Sequence, residues 1–354
     1  MLIFDSHLDL ALNGVDWNRD LRLSVDEIRR QEIELQMTAP GRRHNTLSLP
    51  ELRASEVAVC LTTLLARQEP RIDDSFGWTS PQTCYAMAHA HWAYYRALES
   101  SGHLKMLKTA SELKQHWDAY RKSPNTEPLG FIMTMEGADP LLEPDTIYEF
   151  HAAGLRALGL THYGVNRYGG GTSTDAPLAP AAFPLLKLCE ELGMTIDVTH
   201  LSDTAFWQVI ENFHGRIHAS HQNARGICNW QRQFSDDQIR VVLERDGVLG
   251  VAFDVIMLQP GFVRGTSVPE VTLDRAIKQI EYVQTLAGGS LRNIGLGTDL
   301  DGAFGYEQTP LDLNRYRDLQ SLVERLQARG FSLEEVQNLF HGNWLRFFSE
   351  ALPA

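Results

Sequence analysis

The stretch MLIFDSHLDL, residues 1–10, runs from an apolar, strand-like start straight into Asp5, His7 and Asp9. His7 and Asp9 are two apart, so an extended backbone turns both side chains to one face. An imidazole and a carboxylate sharing a face at the end of a strand are the beginning of a metal site. An isolated H-x-D is more often a polar strand end with a hydrogen-bonded histidine. What separates the two readings is whether the pattern recurs.

It recurs along the whole chain. Short apolar runs rich in branched residues cover 1–6, 57–64, 130–135, 155–161, 194–199, 217–220, 248–253 and 293–298. Helical patterns lie between them: one behind the capping box Ser24-Val-Asp-Glu27, then 82–98, 110–120, 183–192, 204–212, 236–244 and 273–286. Three more, 313–329, 332–340 and 343–352, close the chain. Nearly continuous apolar strands alternating with helices predict a parallel sheet buried on both faces. Eight such units predict an α/β fold of the (β/α)8 TIM-barrel type, a single domain over 1–354 with additional C-terminal helices. Segments 39–49 and 66–81 read as loops.

With 354 residues and 43% hydrophobic content, the chain can bury a sizeable core. Its formal net charge of -13 argues against nucleic acid and anionic membrane as partners. Cys60, Cys84, Cys189 and Cys228 are scattered without a C-x-x-C, and Cys60 and Cys189 fall inside apolar patterns, so they read as core residues. No charged segment followed by an apolar one opens the sequence, and no apolar run reaches spanning length. A soluble, cytoplasmic setting is expected.

The ends of the apolar runs carry the chemistry. The first gives His7 and Asp9, MTMEGADPL gives Glu136, LTHYG gives His162, DVTHLSD gives His200, HASHQNAR gives His221, and GTDLDG gives Asp299 and Asp301. A barrel gathers all of these on its C-terminal rim, where active sites are built. Imidazole and carboxylate donors without cysteine suit zinc, or else manganese, iron or cobalt. There are too many for one tetrahedral ion, and a two-metal centre with a bridging carboxylate accounts for them better. Two cations sharing a water would supply hydroxide near neutral pH, with a rim aspartate to carry the proton.

HLD, MEGADPL, LGLTHYGVNRYGGG, LCEELGMTIDVTHLSD, SHQNAR, GLGTDLDG and the closing GNWLRFF together resemble the membrane (renal) dipeptidase family, peptidase family M19 of the amidohydrolase superfamily. The resemblance runs in order over nearly the whole chain. It implies a (β/α)8 barrel with two Zn2+ per chain that hydrolyses dipeptides, L-Xaa-D-Xaa among them. Carried onto this sequence, it makes His7 and Asp9 ligands of one zinc, Glu136 the bridge, and His200 and His221 ligands of the second. It gives His162 to the substrate carbonyl and its oxyanion, Arg232 to the substrate carboxylate, and Asp299 to proton transfer and the substrate amine. The segment NWQRQFSDD around Arg232 and the turn FDVIMLQPGF depart from the usual family patterns, which bears on pocket shape.

The expected partner is a small dipeptide, and a homodimer is compatible with the reading. Two rivals stay open: another amidohydrolase-type enzyme acting on an N-acyl amino acid, a lactone or by deamination, and a metal-binding protein without catalysis. His89, His91, His214, His218 and His341 read as structural, the glycine-rich GGGTSTD (169–175) as a rim loop, and Asp197 and Asp301 as groups that orient ligands. Trp230 reads as pocket wall or packing.

Overall fold

The computed structural model describes residues 1–69, 77–124 and 126–354. Its strands are β1 (Ile3–Leu8), β2 (Val57–Leu64), β3 (Leu104–Met106), β4 (Leu129–Glu136), β5 (Leu155–Gly159), β6 (Thr195–Asp197), β7 (Ile217–His218), β8 (Leu249–Val251) and β9 (Ile294–Leu296). They pair in parallel in the order β7-β6-β5-β4-β2-β1-β9-β8, with β3 alongside β4 off that path. The ring closes where Ala219, just beyond β7, bridges Leu249 of β8. There Ala219 N–H donates to Val248 O (2.9 Å) and Gly250 N–H to Ala219 O (2.8 Å). The fold is therefore the expected (β/α)8 barrel, with all strand C-termini on one rim.

Every residue of β1, β2 and β4 is buried, as a parallel strand covered on both faces requires, including the polar Asp5, Ser6 and His7 of β1. The helices follow their sequence signals closely. Ser24 and Glu27 form the capping box of Val25–Glu34, Ser235 and Gln238 that of Asp236–Glu244, and Ser332 and Glu335 that of Leu333–Gln337. The pattern over 313–329 divides into a 3-10 segment, Tyr316–Gln320, and the helix Ser321–Ala328. The division follows from Asp318, which turns back to accept from Asn314 N (2.8 Å) and Arg315 N (2.9 Å). The loop expected at 39–49 ends on a short helix, Leu49–Ala54, and residues 70–76 of the second expected loop lie outside the described residues.

The last helix, Asn343–Ala351, stoppers the N-terminal end of the barrel. Its Trp344, Phe347 and Phe348 pack with Phe4, Val59 and Ile132 from the strands and with Val248 just before β8. Trp344 Nε1 donates to Leu296 O at 2.9 Å, and Asn343 Nδ2 to Leu291 O and Ile294 O. All four cysteines are buried and free. No helix among the described residues is long and apolar enough to cross a membrane.

Candidate active site

The rim is built from strand ends whose backbone has been bent to aim side chains inward. In β1 the register with β2 slips between Asp5 and Leu8, a bulge at His7. The His7 N–H freed from the ladder donates instead to Asp5 Oδ1 at 3.1 Å. Asp5 itself is buried and accepts from Thr298 N, Thr298 Oγ1 and Tyr316 Oη, so it braces β1 against β9. His200 and Asp299 both take left-handed backbone conformations, with φ of 67° and 57°. Histidine and aspartate tolerate that region better than branched residues, and such strain concentrates at functional sites.

Glu136 occupies the centre. Its Oε2 lies 3.5 Å from His7 Nε2, while its Oε1 lies 3.2 Å from His200 Nε2, 3.4 Å from His221 Nε2 and 3.9 Å from His162 Nε2. His7 Nε2 is also 3.7 Å from Asp9 Oδ2 and 3.8 Å from Asp299 Oδ1. The structure thus brings together every residue picked out as a ligand, with His162 and Asp299 beside them. Grouped by reach, the donor atoms fall into His7–Asp9–Glu136, Glu136–His162–His200 and His7–His221–Asp299. His162 and Asp299 therefore belong to the candidate metal-holding groups as well.

The donor chemistry fits metal ions. His7 Nε2 is buried with no hydrogen-bond partner. Thr172 Oγ1 lies 2.8 Å from His200 Nδ1 and Ser220 Oγ lies 2.9 Å from His221 Nδ1. Imidazoles that donate from Nδ1 to those hydroxyls keep their Nε2 lone pairs free. Those Nε2 atoms are 3.1 Å apart and converge on the same carboxylate oxygen, an arrangement that calls for a cation between them. Bonds of ~2.1 Å in a tetrahedral shell put ligand atoms ~3.4 Å apart, which is the spacing found here.

The electrostatics agree. Burial holds the imidazoles of His162, His200 and His221 well below their usual range, in the neutral, ligating form. Burial also opposes charge on His7, but the carboxylates of Glu136 and Asp9 overcome it and raise its pKa well above the usual value. A site that draws a proton so strongly onto His7 offers the same negative potential to a metal. Asp299 is pushed well above the carboxylate range by burial, with Asp9, Glu136 and Asp254 adding to the effect.

Among the supporting groups, Asp197 was expected from the sequence, and the hydroxyls of Thr63, Thr172 and Ser220 were not. Thr63 Oγ1 donates to Asp9, and Asp197 Oδ1 accepts from Thr199 N and Ser220 N (both 3.0 Å), fixing the residues next to His200 and His221. Ser220 Oγ also stands 3.4 Å from His7 Nδ1. Thr172 belongs to GGGTSTD, which is a rim loop as expected, bridged to Leu201 through Gly171. Asp301 does not orient a candidate ligand. Its backbone is left-handed (φ 60°) and its carboxylate accepts from Thr46 N, Thr46 Oγ1 and Leu47 N, so it anchors that segment. His91 is paired with Asp16 at 2.6 Å, and His218 is packed among Trp344, Phe347 and Phe348 at the far end of the barrel.

The cluster lies at the bottom of a cavity of about 770 Å³. Asp9, Glu136, His162, His200, His221 and Asp299 contribute to its floor, and Trp17, Trp78, Tyr163 and Trp230 to its aromatic walls. Arg232 also lines it and is only 4% exposed. Its guanidinium donates to Gln222 Oε1 and to His221 O (2.9 Å), its Nη2 lies 3.3 Å from His200 Nε2, and it has no carboxylate within ion-pair distance among the described residues.

A closed parallel barrel with a histidine–carboxylate cluster on its C-terminal rim defines a metal-dependent hydrolase of the (β/α)8 class. The chain belongs to the membrane dipeptidase family, peptidase family M19, whose family model matches residues 1–353. It is accordingly a metallo-dipeptidase by family. An uncharacterized protein in the pqqA 5' region of Klebsiella pneumoniae is 28% identical over 256 residues, 70% of this chain and 89% of that one. Mouse dipeptidase 3 is 27% identical over 248 residues, and the match spans 64% of this chain but only 45% of that protein. Among solved structures, an M19 metallo peptidase called dipeptidase AC superposes with a TM-score of 0.80 at 22% identity, covering 100% of this chain and 99% of that one. A metallo peptidase from Rhodobacter sphaeroides, liganded with a phosphinate mimic of the dipeptide L-Ala-D-Ala, gives 0.78 at 21% identity over 99% of both chains.

Proposed function

We propose that the chain is a binuclear zinc dipeptidase, with residues 1–354 acting as one catalytic barrel and Glu136 shared between two ions. The observation that carries this reading is the division of Glu136, one oxygen toward His7 and the other toward His200 and His221. His7 and Asp9 would hold one ion, His200 and His221 the other. When bound, the two ions polarise the scissile carbonyl and lower the pKa of water to give the nucleophile.

The chain's own side chains supply the rest. His162, neutral and lining the cavity, faces the carbonyl oxygen and donates to it as negative charge develops there. Asp299 takes the proton of the attacking water and delivers it to the leaving nitrogen, and it receives the substrate amine. Arg232, buried and lacking a carboxylate, pairs with the free C-terminal carboxylate, which confines substrates to dipeptides. Tolerance of a D-residue at that end is part of the proposal, supported by the mimic bound to the Rhodobacter sphaeroides protein.

The test combines metal analysis with a substrate panel. Protein purified without chelator is expected to hold about two zinc equivalents per chain. An L-Xaa-D-Ala dipeptide should be cleaved with higher kcat/KM than its C-terminal amide or a tripeptide. One equivalent with full activity would remove the bridge, and equal cleavage of amide and acid would remove the arginine clamp. Hydrolysis of lactones or acyl amides with rejection of all dipeptides would move the enzyme to another reaction.

A further inference from the structure

Beyond the metal cluster, the cavity wall contains a second buried carboxylate that the proposed reaction does not use. Asp254 stands three residues past β8 and is 7% exposed. Its Oδ1 accepts from Ile256 N (2.9 Å), capping the 3-10 turn Val255–Met257, and from Gln308 Nε2 (2.9 Å). Its Oδ2 accepts only the same Gln308 amide, at 3.0 Å. Among the described residues no arginine, lysine or histidine comes within ion-pair distance of it. Arg264, on the same loop and also lining the cavity, is exposed and donates to Ala303 O instead.

An ionised carboxylate withdrawn from water without a counter-ion is costly, and proteins rarely keep one without a use. Capping a turn of this length needs only an Asn or Ser oxygen. Gln308, brought in from a separate loop after β9, touches both carboxylate oxygens and so fixes their orientation. The side chain is thereby preorganised toward a cavity large enough for a long substituent; Trp17 and Tyr163 of its wall already face the guanidiniums of Arg19, Arg42 and Arg67, and Trp78 and Trp230 are the further aromatic rings of the wall. Burial pushes the Asp254 carboxyl up to about 6, the direction expected of an acid whose positive partner has yet to arrive.

We propose that Asp254 is a specificity-determining residue that selects dipeptides carrying a cationic side chain, a lysine or arginine residue, over neutral ones of equal length. The inference rests on the dipeptidase reading above and adds the chemical class of its substrate. The bound ammonium or guanidinium reaches Oδ2, whose lone pairs are free on the cavity side, and supplies the missing counter-charge.

The experiment compares kcat/KM for L-Lys-D-Ala against L-norleucyl-D-Ala and for L-Ala-D-Lys against L-Ala-D-norleucine, in metal-loaded wild type and in Asp254→Asn. Norleucine keeps the length of lysine without its charge, so each ratio isolates the ammonium. Wild type should favour lysine at one of the two positions by about tenfold or more, as charge-assisted hydrogen bonds do. In Asp254→Asn, which retains the cap, that ratio should fall toward one. Should Asp254→Asn not accumulate as folded protein, Asp254→Ser keeps a capping oxygen and takes its place. Lysine ratios near one in wild type, or a ratio preserved in the variant, would each overturn the assignment. Cleavage of norleucyl peptides as fast as lysyl ones leaves the dipeptidase standing and removes only Asp254. Failure to cleave any peptide of the panel removes both.

Discussion

Glu136 meets His7 with one oxygen and His200 and His221 with the other, so its charge can be removed while its shape is kept. Glu136→Gln should leave a folded protein with clearly less than two zinc equivalents. Because outer-shell changes alone cost ~10–100-fold, turnover should fall by more than ~10²-fold. Elemental analysis beside circular dichroism checks it, and an unchanged zinc content would show that the carboxylate serves neither ion. At this scale the sequence was informative about which donors gather at the rim, Asp197 behind them included, and silent about the hydroxyls that support them. His7, Asp9, Glu136, His200 and His221 stood out because a titratable residue at the end of an apolar run is unusual, and here it happens repeatedly. Thr63, Thr172 and Ser220 are common residue types whose importance depends on which imidazole or carboxylate they touch. Asp254 resembles any turn aspartate until Gln308 is brought against it from across the rim.

Among the elements, the closing seam is the tightest place in the barrel. A Cβ placed on Gly250 would lie 1.9 Å from Ser220 O, and one on Gly297 would lie 1.8 Å from the same oxygen. Ser6 Oγ donates to that oxygen too, at 2.5 Å, and to Leu296 O at 2.9 Å. Gly250→Ala must push β8 away from the residues that carry His221. It should destabilise the fold by at least the ~1–3 kcal/mol typical of overpacking, read as a lower urea midpoint, and reduce zinc retention. A midpoint equal to wild type would mean that the seam yields freely. The long strands were legible because a run such as 57–64 is apolar but for Thr62 and Thr63 and coincides with β2. Runs at 194–199 and 217–220 overestimate β6 and β7, whose regular pairing stops early because the chain leaves the sheet to form the rim. β3 escaped notice, since Leu104–Met106 is short and carries a lysine at its centre. The break between Tyr316–Gln320 and Ser321–Ala328 was hidden because it depends on Asp318 folding back onto two backbone amides.

For the molecule as a whole, the stopper at one end stabilises the frame that carries the site at the other. Trp344 is fully buried and lies so close over Gly295 that a Cβ there would be 2.2 Å from its indole nitrogen. Trp344→Ala removes that ring and leaves Leu296 O with Ser6 Oγ as its only remaining side-chain donor among the described residues. A loss of ~3–5 kcal/mol is expected for a buried tryptophan, measured by denaturant unfolding, with zinc released at lower denaturant than from wild type. Unfolding at the wild-type midpoint would show that the helix Asn343–Ala351 is a passive cover.

The pairing of β1 with β9 also sets a timetable. Asp299 is synthesised long after His7, an interval of roughly 15–60 s at ~5–20 residues per second. During that interval β1 can pair with β2, but its other edge, which ends in a histidine and an aspartate, has no neighbour. No local folding step can complete the cluster, because its donors come from segments spread over almost the full length of the chain. Closure of the cluster therefore waits on β9, and until β9 is made the growing chain carries an open strand edge that a chaperone has reason to cover.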